Sequence, residues 1–77
     1  MRIADCAVGT DICLMDCDFD EATRLRLREL GLCKGTSARV IQRAPFGGRV
    51  LSVAGQRIAI DGQTTRRFRV TLASAAA

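Results

Sequence analysis

The chain has no histidine, tryptophan or tyrosine, and its aromatics stop at three phenylalanines. Without histidine there is no imidazole for acid–base work or for the commonest metal sites. The sequence also has no phosphate-cradling Gly-x-x-x-x-Gly-Lys-Ser/Thr and no nucleophile–base pair recognisable by spacing, so catalysis and a bound cofactor are not expected. Few exposed rings argue against stacking on RNA or single-stranded DNA, and nucleic acid is not an expected partner. No apolar run approaches the roughly 20 residues of a membrane helix, so direct membrane insertion is not expected. The start, "MRIADCAVGTDIC", sets acids inside any would-be signal region, which reads as a cytoplasmic protein.

What is present fits one small folded domain over residues 1–77. An apolar fraction of 48% in 77 residues supplies a core. Charge is unevenly placed. Residues 1–21 hold Arg2 against six acids, a net of −5; residues 22–77 hold eleven bases against Glu29 and Asp61, a net of +9. Either the acidic segment folds back beside the basic one, or a basic surface faces an acidic macromolecule. The four cysteines run Cys6-x6-Cys13-x3-Cys17-x15-Cys33, with no Cys-x-x-Cys pair. Buried or inert thiols fit this spacing best; a thiolate site for iron or zinc at Cys13, Cys17 and Cys33 is the alternative, with disulfides behind it.

The stretch "TRLRLRELGLCKG" alternates like a strand, yet its flanks are those of a helix. Asp18 or Asp20 can cap the backbone amides, Asp18 with Glu21 resembles a capping box, and Gly31 stands where a left-handed C′ residue is wanted. A helix is therefore expected over residues 21–30. Its leucines should be largely buried, with Arg24 and Arg28 on an outward ridge. A strand is read from Ile12 to Cys17, with Ile12 and Leu14 on one face. "SARVIQR", "VLSV", "QRIAI" and "RFRVTL" give four more, broken by Pro45–Gly48, Ala54-Gly55 and a polar Asp61–Thr65 turn. Residues 73–77 read as a frayed tail. Five short strands with one helix after the first make a mainly β, strongly bent barrel or sandwich. Closure should hide the sheet edges while the helix plugs one end.

Taken together, Leu30-Gly31, Gly35, Val40-Ile41, Ala44-Pro45-Phe46-Gly47, Val50–Val53 and Gly55 with Ile58-Ala59-Ile60 form an ordered set. Val8-Gly9 and Phe68-Arg69-Val70 extend it. The set resembles the FeoA family over about residues 3–72. That resemblance implies an SH3-like β-barrel with an added helix. It also implies an accessory subunit of ferrous iron uptake, whose partner is the cytosolic G-protein region of a FeoB-like membrane GTPase transporter. Lys34, Gly48-Arg49 and Gly62–Thr65 depart from the family pattern, and the glycines at 48 and 62 imply softer turns. The expected contact residues are Arg24, Arg28, Leu32 and Lys34, with Phe46 as second choice. A solvated face is the plainer reading for the arginines, and core packing for Leu32. Weak self-association stays open.

Overall fold

The structure, a computed structural model, describes residues 1–17 and 19–73, excepting the side chain of Cys17. The suggested Asp18–Glu21 capping box and nearly all of the suggested tail lie outside the described residues.

Five antiparallel strands form one sheet in the order β4-β3-β2-β1-β5. They are β1 (Asp11–Cys17), β2 (Ser37–Arg43), β3 (Arg49–Val53), β4 (Gln56–Ile60) and β5 (Phe68–Leu72). Helix α1 (Glu21–Glu29) follows β1, and a short α2 (Gly62–Arg67) lies between β4 and β5. Strand alternation sorts the side chains as the sequence predicts. Ile12, Leu14, Val40, Leu51, Phe68 and Val70 are buried on the inner face. The alternation breaks after Val40, where the β2–β3 register shifts, and Gln42 is left exposed. Both reversals need positive φ. Ala54 and Gly55 (φ 51° and 82°) close the two-residue β3–β4 hairpin, and Phe46 and Gly47 (φ 61° and 83°) turn the chain between β2 and β3.

The N-terminus adds an element that the pattern does not announce, a 3-10 turn at Ile3–Asp5 that buries Ile3 completely. Just before it, Val70 N–H donates to the Met1 carbonyl (2.8 Å), and Arg2 bridges Arg69 along the outer edge of β5.

Two expectations need correction. The sheet does not hide both edges, because among the described residues β4 pairs with β3 alone. Nor does α1 plug the barrel with all its leucines. Leu27 is buried at 7% exposure, but Leu25 and Leu30 are 56% and 51% exposed. Leu25 and Leu27 stand about 200° apart on a helical wheel, so one contact face cannot take both. The end of the barrel is covered jointly by Leu27, by Leu32 and by Phe19, whose ring meets Phe68 edge to face at 6.4 Å.

Candidate functional site

Helix α1 is held at its ends by local chemistry. The Asp20 carboxylate accepts from Thr23 N–H (2.9 Å), and that bond holds its pKa below the usual value. At the far end Gly31 N–H donates to the Arg28 carbonyl (2.9 Å) and Leu32 N–H to the Leu27 carbonyl (2.8 Å). This pair of bonds is the Schellman arrangement, and the positive φ of Gly31 makes it possible. Its consequence is positional: Leu32 folds inward at 3% exposure, while Cys33 and Lys34 emerge on the surface beside the helix.

The outcome is a surface groove of about 440 Å³ that gathers four of the five expected contact residues. Arg24, Arg28, Lys34 and Asp16 line it, and half-buried Met15 supplies most of its apolar surface, beside the buried Leu32 and Phe68. Lys34 Nζ lies 3.7 Å from Asp16, an exposed pair that contributes about 0–1 kcal/mol. Both arginines are exposed and neither has a carboxylate partner among the described residues. Leu32 serves as core in this groove, in line with the plainer reading.

Phe46 does not line the groove. It is 98% exposed, at positive φ, on a turn tied to α2. The Thr65 hydroxyl, fully buried, lies 2.7 Å from the Gly62 carbonyl and 3.1 Å from the Gly47 carbonyl, donating to either. Arg49 Nη1 donates to the carbonyls of Gly47 and Gly48 (2.9 Å each). The glycines at 48 and 62 are therefore not soft turns. A Cβ at Gly48 would stand 2.8 Å from the Ile60 carbonyl, and one at Gly62 would collide with the Phe46 carbonyl.

Of the sulfurs proposed for metal, Cys33 is exposed beside the Thr36 hydroxyl (3.3 Å), and Cys13 is half-buried 3.9 Å from the Leu14 carbonyl. Cys17's side chain is outside the described set. Among the described residues no three Cys, Asp or Glu side chains converge as a metal site. Cys6 is buried near Met1 Sδ (3.5 Å), and burial with the Asp5 charge raises its thiol pKa.

The segment 1–21 does fold back on the basic remainder. Arg39 grips Asp11 through two bonds of 2.6 and 3.0 Å, which lowers the Asp11 pKa. Met15, Asp16 and Phe68 line the groove without having been expected there from the sequence.

Residues 1–71 match the FeoA domain family. No curated protein is significantly similar in sequence. Among solved structures, FeoA from Chlorobium tepidum superposes with a TM-score of 0.86 at 21% identity, over 96% of this chain and 71% of that one. An iron uptake regulatory protein (FeoA) gives 0.78 at 24% identity, over 91% and 92%. FeoA of Stenotrophomonas maltophilia, solved with zinc and described as a prokaryotic SH3 domain protein, gives 0.71 at 28% identity, over 92% and 89%. No helix among the described residues is long and apolar enough to cross a membrane. With the family matched over nearly its whole length and the SH3-like fold in place, the chain belongs to the FeoA family, associated with ferrous iron transport.

Proposed function

We propose that this chain is a non-enzymatic cytoplasmic subunit of ferrous iron uptake. It binds the cytosolic G-protein region of a FeoB-like membrane transporter and acts as regulator or scaffold, not as pore. Family membership supplies the system, and the FeoA of S. maltophilia is described as a candidate activating factor of bacterial ferrous iron transport. The observation that carries the contact is the convergence of Arg24, Arg28 and Lys34 on one groove with half-buried Met15, above the core residues Leu32 and Phe68. Arginine above an apolar floor is the composition of an interface centre.

The test is direct binding between the full chain and the G-region of the transporter. Reversing Arg24→Glu and Arg28→Glu together should weaken affinity at least tenfold while leaving the circular dichroism spectrum unchanged, since both side chains are exposed. Binding should also fall with added salt. Equal affinity in the double variant would remove this face from the interface.

A further inference from the structure

The outer edge of β4 offers a different surface. In the two-residue β3–β4 hairpin, Val53 and Gln56 form the closing hydrogen-bonded pair, and the pattern then alternates along the strands. Leu51/Ile58 and Arg49/Ile60 exchange bonds, whereas Arg57 and Ala59 turn their N–H and C=O groups away from β3. No described residue bonds to those groups. The opposite edge of the sheet is treated otherwise, covered by Met1 and Arg2. An uncovered edge is a template for another strand.

Beside the end of this edge lies a cleft of about 450 Å³, open because α1 is seated on the barrel mainly through Leu27. Ile60 and Ala59 form one side and the half-exposed Leu30 another. Arg26 and Arg67 also line it, both exposed and without an ion-pair partner among the described residues. The two acids on the rim, Asp20 and Asp61, cap helices and stay ionised, accepting from Thr23 N–H (2.9 Å) and Thr64 N–H (2.7 Å). Arg57, exposed on β4 itself, faces outward at the same edge. Leu27, Leu30 and Ile60 give the cleft an apolar strip within a mostly polar lining, and Arg26, Arg57 and Arg67 outnumber the two aspartates around it.

We propose that the β4 edge is a strand-addition site for an extended acidic–apolar segment of a partner protein. The segment pairs its backbone with Arg57 and Ala59 as a sixth strand. On one face its apolar side chains enter the cleft between Ile60 and Leu30. On the other its carboxylates face Arg57, with Arg26 and Arg67 at the cleft mouth. This surface does not depend on the Arg24–Lys34 groove and stands or falls without it.

The test is an NMR titration of the ¹⁵N-labelled full chain with the blocked peptide Ac-Glu-Val-Asp-Leu-Glu-Val-Asp-NH2. Saturable shifts centred on residues 57–61, and at least tenfold slower amide exchange at Arg57 and Ala59, are expected. The Arg26→Glu, Arg67→Glu double variant should bind at least tenfold more weakly, as should a peptide with lysine in place of each acid. A peptide N-methylated at alternate residues tests the backbone pairing without altering the protein, and should lose binding. Absence of saturable shifts, shifts centred on Arg24–Lys34, or equal binding of the lysine peptide would overturn the proposal. Protection of the same amides by raising protein concentration alone would also overturn it, assigning the edge to a second copy of this chain.

Discussion

A side chain at Gly62 would meet the Phe46 carbonyl, Arg66 Nη1 at 3.1 Å and the Gly47 carbonyl carbon at 3.2 Å. The first and third are backbone and cannot swing aside. Five of the seven glycines sit at positive φ, the role the sequence suggests for them, but Gly62 is there for proximity. It lets the start of α2 lie against the 45–47 turn, so that the Thr65 hydroxyl reaches the Gly47 carbonyl and Phe46 is held facing solvent. Gly62→Ala should therefore destabilise the protein by about 1–3 kcal/mol through overpacking. Gly31→Ala, with open space around its Cβ, tests conformation alone and should cost about 1 kcal/mol. Urea midpoints decide between them, and a Gly62→Ala protein as stable as the parent would refute the close approach. The sequence could not display this. A glycine chosen for φ and one chosen for proximity look alike until a distant loop is placed beside it.

Helix α1 is the element where sequence and structure part in the most informative way. Its existence and limits were legible, because capping is local: Asp20, Gly31 and Leu32 act on backbone groups within a few residues. The strands were legible for a similar reason, since inner-face positions such as Ile12 and Leu14 alternate with outer ones. How the helix sits was not legible. Its leucines cover too wide an arc for one contact, and which of them wins depends on Phe19 and Leu32 arriving from outside the helix. Likewise the arginine ridge could be read from spacing, but not its meeting with Met15 and Phe68 of two strands. The leucines separate by measurement. Leu27→Ala should cost about 2–4 kcal/mol as a buried truncation, whereas Leu25→Ala and Leu30→Ala should each lie within about 0.5 kcal/mol of the parent. Comparable losses at all three positions would restore the buried-plug picture.

At the scale of the whole molecule, the sheet joins the two ends of the sequence: β1, near the start, pairs with β5, near the end. Folding must therefore bring distant segments together, and the sheet should behave as one cooperative unit. The ion pairs Asp11–Arg39 and Asp16–Lys34 join the acidic first segment to the basic remainder, but both are exposed and add little. Stability rests on the core. At about 0.05–0.15 kcal/mol per residue, a chain of this length has only roughly 4–12 kcal/mol in total. Phe68, 1% exposed and starting β5, should cost about 3–5 kcal/mol on truncation to alanine, enough to leave much of the population unfolded. α1 stands outside this unit, attached through Leu27 and its flanking residues. Native-state hydrogen exchange should show amides of β2 and β3 opening only with global unfolding. Those inside α1 should open through a cheaper local event, with protection lower by on the order of tenfold or more. Equal protection would mean that helix and sheet unfold together.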